Sequence, residues 1–206
     1  MPMLELISFM VLALILGLKH SYDADHIIAV SNILRKAESF RSSIKIGFSW
    51  AIGHMATATI ITILLYVFRE SIIKSILPHF EKIVGLMLIT LGLLSLKDSF
   101  SLHLHKHAHK HILGIGIIHG LASNDELLIL FTASLGASSL GLILFGIGIF
   151  SIGVVLGMML FSFIFTYPLI KIHSEKIYKI FSLTTGLSGM IYGTLMILGL
   201  QQSHLW

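Results

Sequence analysis

One short run carries most of the chemistry available to this chain. Leu16-Gly17-Leu18-Lys19-His20-Ser21-Tyr22-Asp23-Ala24-Asp25-His26-Ile27-Ile28 sets two imidazoles and two carboxylates inside an otherwise apolar stretch. Imidazole suits borderline divalent cations such as nickel, copper, zinc and iron, and carboxylates tolerate the same ions. On a regular helix, at about 100° per residue, His20, Asp23 and His26 fall within an arc of roughly 120°. Asp25 then points elsewhere unless the helix unwinds. Either geometry presents two imidazoles and at least one carboxylate to a common point.

A second cluster repeats the pattern, since His119, Asp125 and Glu126 share a face in the apolar stretch after Ile112. Ionisable groups at membrane depth cost on the order of 2.5–3.5 kcal/mol each and normally mark ion sites or pathways. A divalent cation would offset two carboxylates at once. Two plainer accounts compete: the first run ends its span among lipid headgroups, and the second is a polar clamp between helices. Against the first stands the apolar segment that resumes at Ile27. Against the second stands the central position of His119 to Glu126. His54, in Trp50-Ala51-Ile52-Gly53-His54-Met55-Ala56-Thr57, lies near the middle of the next apolar stretch and is expected to serve as a ligand or gate. The tract from His103 to His111 places histidine at every second position. It reads as a loop that collects or buffers metal, with a solvated interfacial loop as the plain alternative.

The elements that must position these groups are membrane spans. Of 206 residues, 55% are hydrophobic and 12% charged, whereas soluble domains carry about a quarter charged residues. With no cysteine, disulfides, thiol redox chemistry and thiolate metal sites are excluded. Six spans of about the 20 residues a bilayer requires are expected near 3–30, 44–68, 80–97, 112–135, 139–167 and 178–200. The first is expected to break or bend around the polar run. No secretory leader is read at the start, where Glu5 replaces a basic region.

Basic residues concentrate in the first connection (Lys19, Arg35, Lys36, Arg41, Lys45), the third (Lys97, Lys106, Lys110) and the fifth (Lys171, Lys176, Lys179). The positive-inside rule places these in the cytoplasm and both termini outside. It also accounts for the basic balance without nucleic acid as a partner. An internal repeat aligns Gly17 and His20 with Gly116 and His119, and Gly85 and Gly92 with Gly186 and Gly193. The expected fold is therefore an all-α membrane protein of about six transmembrane helices in two inverted three-helix repeats. The whole chain, 1–206, is expected to form a single transmembrane domain on the plan of many transporters: repeat one about 1–100, the His-rich loop 103–111, and repeat two about 112–206.

His20, four intervening residues and then Asp25-His26, with Asp23 between, resembles the signature of the nickel/cobalt transporter family. Gly53-His54 looks like the Gly-His of that family's next helix. His119-Gly120-Leu121-Ala122 is similar to the related branch of urease-accessory-like membrane proteins, rather than to the Asp-Thr-Ala-Thr-Glu type of the larger members. The resemblance implies secondary transport of Ni2+ or Co2+ across the cell (inner) membrane, with His20, Asp23, Asp25, His26 and His54 as metal-path positions. The ion is cargo, no cofactor is held permanently, and the partners are the metal, the bilayer and a possible second copy of the chain. Two other classes remain open. One is an intramembrane metalloenzyme, disfavoured by the absence of a His-Glu-x-x-His pattern. The other is a metal-sensing or accessory membrane subunit.

Overall fold

The structure is a computed structural model that describes residues 3–68, 71–100, 111–122, 140–172 and 174–200. The regular structure among these residues is all helical, with no strand. The elements are α1 (Met3–His20), α2 (Ala24–Leu34), α3 (Phe40–Phe68), α4 (Ser71–Phe100), α5 (Ile112–His119), α6 (Leu140–Ile172) and α7 (Glu175–Ile197). Five of them, α1, α3, α4, α6 and α7, are long and apolar enough to cross a membrane. They correspond to the first, second, third, fifth and sixth expected spans. The expected fourth span is described only through α5 and the turn to Ala122.

The first span does break at the polar run. Tyr22 and Asp23 donate back to the carbonyls of Lys19 and His20 at 2.9 and 3.1 Å, closing a tight turn after α1. Asp23 then adopts an extended backbone as the residue preceding α2. Ser and Asp favour such a boundary because their short polar side chains compete with the helix for backbone groups. The arc expected from an unbroken helix is therefore not what brings the motif together; the break does.

Close approaches of glycine bind the remaining helices in pairs. A methyl group on Gly85 would lie 2.7 Å from the Gly193 carbonyl oxygen, and one on Gly92 would lie 2.6 Å from that of Gly186, so α4 and α7 touch backbone to backbone. Gly17 of α1 sits against the Phe150 carbonyl of α6, and Gly116 of α5 against the Trp50 carbonyl of α3. Small residues suit such contacts in a bilayer, where lipid supplies no hydrophobic drive for helix association and van der Waals packing must provide it. The buried apolar residues form two clusters. One joins α1, α3, α5 and α6 around Trp50, Phe150 and Met158; the other joins α4 and α7 around Val84, Leu88 and Met196. The short helix α2 lies between them and contributes Val30 and Leu34 to the first and Ala29 to the second.

Candidate metal centre

Three helices bring one imidazole each to a single point. His20 ends α1, His26 stands in the first turn of α2, and His54 lies in the middle of α3. The Nε2 atoms of His20 and of His26 are each 3.3 Å from Nε2 of His54. All three residues are almost completely enclosed, at 3%, 1% and 0% exposure.

The opposite edges of two of these rings are held by carboxylates. An ionised carboxylate only accepts hydrogen bonds, so the imidazole nitrogen facing it carries the proton. His20 Nδ1 is 2.9 Å from Asp23 Oδ2, and His26 Nδ1 is 2.8 Å from Asp25 Oδ1. In the neutral rings this leaves the Nε2 lone pairs of His20 and His26 aimed at His54. Asp25 is engaged on both sides, because its Oδ1 also accepts from the His26 backbone at 2.9 Å and its Oδ2 from His119 Nε2 at 2.9 Å. Both acids sit at the start of α2, where the helix dipole favours negative charge. Asp23 makes no side-chain cap there; its carboxylate is turned to His20 instead. It is also the wetter of the two, its side chain 33% exposed against 12% for Asp25.

The separations of His54 Nε2 from the other two nitrogens are those of metal ligands. A divalent cation held at about 2.0–2.1 Å sets neighbouring donors about 3.0 Å apart in square or octahedral geometry and about 3.4 Å apart in tetrahedral geometry. The observed 3.3 Å separations fall within that interval. Hydrogen bonding satisfies the cluster poorly. One Nε2 proton on His54 would have to serve two lone pairs at once, and His54 Nδ1 has no partner among the described residues. A cation among the three Nε2 atoms resolves the first of these. His20, His26 and His54 form one group of possible ligands, and Asp25, His26 and His119 form another.

The sequence motif thus divides in space. His20, His26 and His54 converge; Asp23 and Asp25 stand behind the rings; and His119, at the end of α5, meets the first motif through Asp25. Asp125, Glu126 and His103 to His109 lie outside the described residues. His111 is described and exposed. Two aromatic residues went unnoticed as parts of the site. Trp50 stacks on His54 with ring centroids 4.9 Å apart and planes 12° apart, and Phe150 lies 5.4 Å from His20. Trp50 had a signal, since it precedes His54 by one helical turn and so shares its face. Phe150, on a distant helix, had none.

Residues 6–97, which hold the whole motif and His54, match the family model described as high-affinity nickel-transport protein. The resemblance read from the motif therefore holds. Along 94% of its length the chain is 28% identical to the urease accessory protein UreH of Bacillus sp. (strain TB-90), covering 92% of that protein. It is 36% identical to the nickel transporter NixA of Staphylococcus aureus over 45% of the chain and 30% of that protein. With the high-affinity nickel-transport protein NixA of Helicobacter pylori it shares 32% identity over 41% of the chain and 28% of that protein. The chain therefore spans under a third of either transporter's length. No solved structure matches it. With its apolar helices, the chain is a multi-pass membrane protein.

Proposed function

We propose that this chain carries a divalent transition-metal cation, Ni2+ or Co2+, across the cell membrane through the three-imidazole cluster. One observation carries the reading: imidazoles from three helices converge in a buried position, with Nε2 of His20 and of His26 each 3.3 Å from Nε2 of His54 and two of the rings fixed from behind by carboxylates. In this reading His20, His26 and His54 replace water around the ion. Asp23 and Asp25 orient the rings and offset the two positive charges, and His119 holds Asp25. Carboxylates behind metal-bound histidines raise ligand basicity and fix the tautomer. Asp125 and Glu126 are proposed to extend the path in the second half. Among the relatives compared, the NixA proteins are named as transporters and UreH as an accessory protein, none as an enzyme.

The inverted-repeat plan is part of the proposal, and the helix pairs support it. Exchanging residues for counterparts about a hundred positions away turns the Gly85–Gly193 contact into Gly186–Gly92 and Gly17–Phe150 into Gly116–Trp50. Halves related by a two-fold axis make reciprocal contacts of this kind. The 1–206 span is then one domain in which two bundles rock about a central site.

The test is Ni2+, Co2+, Zn2+ and Mn2+ flux in proteoliposomes, for the wild type and for His20→Ala and His54→Ala. The expected result is saturable Ni2+ or Co2+ flux that both variants abolish. Unchanged flux in the variants would refute the site, and no flux of any ion would refute transport. The UreH relative, which spans nearly the whole chain, gives a second reading as an accessory membrane subunit. That reading predicts metal binding without flux.

A further inference from the structure

The far end of α2 holds a buried polar cluster that the metal chemistry does not use. Asn32 Nδ2 donates to the Thr185 carbonyl of α7 at 2.9 Å, and Asn32 Oδ1 accepts from Ser95 Oγ of α4. Arg35 donates from Nε to Ser95 Oγ at 2.8 Å and from Nη1 to Tyr178 Oη of α7 at 3.1 Å. Its Nη2 pairs with Asp98 Oδ2 of α4 at 2.6 Å, and Lys36 Nζ reaches the same oxygen at 2.7 Å. Sequence alone assigned Arg35 and Lys36 to a basic connection. In the fold the Arg35 side chain is 2% exposed and that of Asp98 11%.

The direction of these bonds is one-sided. Each one that leaves the α2 segment from Asn32, Arg35 or Lys36 ends on α4 or α7. At the opposite end of α2, roughly 15 Å away along the helix, His26 meets His54 of α3 and Asp25 meets His119 of α5. The three-imidazole cluster therefore lies across the seam between the two packing clusters. Two of its rings come from α1 and α3 on one side, and the third comes from a helix fastened to α4 and α7 on the other. A cation gripped by three imidazoles must lose a ligand before it can leave. Parting at this seam removes His26, and it also draws Val30 and Leu34 of α2 out of the first cluster and Asp25 away from His119. A buried ion pair, by contrast, is costly to break once one partner is withdrawn, so the Arg35–Asp98 end is the fixed end.

We propose that Arg35 and Asp98 are positioning residues for transport: their pairing fastens α2 to the α4–α7 pair, so that α2 moves with that pair and draws His26 away from His20 and His54 when the ion is released. This inference rests on the reading of the imidazole cluster as the metal site.

Because the chain has no cysteine, Lys36→Cys/Asp98→Cys creates a single thiol pair at the clasp. With the thiols reduced, maximal Ni2+ flux in proteoliposomes is expected to fall about tenfold or more, while the half-saturating Ni2+ concentration changes less than about threefold. Bridging the thiols with a short bifunctional thiosulfonate is expected to restore flux, since a covalent tie does what the ion pair did. Wild-type flux in the reduced protein would overturn the proposal, and so would flux that stays lost after bridging. Metal binding that weakens in parallel with flux would overturn it too, because the cluster would then only shape the site. If the double variant does not yield monodisperse protein, Asp98→Glu and Asp98→Asn decide. Retained flux in Asp98→Glu alone supports the clasp, and equal loss in both refutes it. Failure of the transport reading itself is distinct: the wild type would then show no Ni2+ flux.

Discussion

Asp25→Asn separates a carboxylate that orients a ligand from one that merely sits nearby. The substitution keeps the shape of the side chain and removes its charge. The Asn oxygen can still accept from His26 Nδ1, but the new amide group then faces His119 Nε2, which donates in the native protein. His119 can switch tautomer to accept, at the cost of a buried Nδ1–H with no acceptor among the described residues. The loss therefore combines the charge removed behind His26 with a poorer partner for His119. Removing an outer partner of a metal-bound histidine typically costs 10–100-fold in affinity, which is about 1.4–2.7 kcal/mol. Asp23→Asn makes the same change behind His20, yet the Asp23 side chain is nearly three times as exposed, 33% against 12%. Water screens its charge, so a loss under about tenfold is expected there. Ni2+ titration calorimetry on protein in lipid nanodiscs measures both, with size-exclusion profiles as the check on folding. Equal losses in the two variants would refute the reasoning, as would an Asp25→Asn affinity within about twofold of wild type.

Other expectations follow from neighbouring contacts. His119→Ala removes the donor to Asp25 Oδ2 and should weaken Ni2+ binding about tenfold, whereas His119→Gln restores a donor and most of the affinity in the same titration. Because Trp50 stacks on His54, Ni2+ should quench Trp50 fluorescence in a Trp206→Phe background, and His54→Ala should abolish the quenching. Gly17→Ala drives a methyl into the Phe150 backbone and is expected to cost about 1–3 kcal/mol of stability. Gly114→Ala and Gly148→Ala, where a methyl would meet nothing within 4 Å among the described residues, should leave the melting temperature in nanodiscs unchanged or slightly raised, since alanine is the better helix former.

Much of this protein is written locally. The apolar lengths determine helices that cross a bilayer, because a span is a property of consecutive residues. The polar run from His20 to His26 determines both the break after α1 and the set of possible ligands, since Ser and Asp compete with the helix for backbone bonds where they stand. His54 was recognisable because a histidine deep in an apolar segment is expensive without a purpose. Tertiary structure alone decided the rest. That Nε2 of His54 meets those of His20 and His26 depends on how far α3 is turned and slid against α1 and α2, and glycine contacts with distant helices set both. That Asp25 turns its second oxygen to His119 depends on where α5 ends. Arg35 looked like a loop base until Ser95, Asp98 and Tyr178 enclosed it. Periodicity along one helix fixes which residues share a face, but not which face of another helix that side chain will meet.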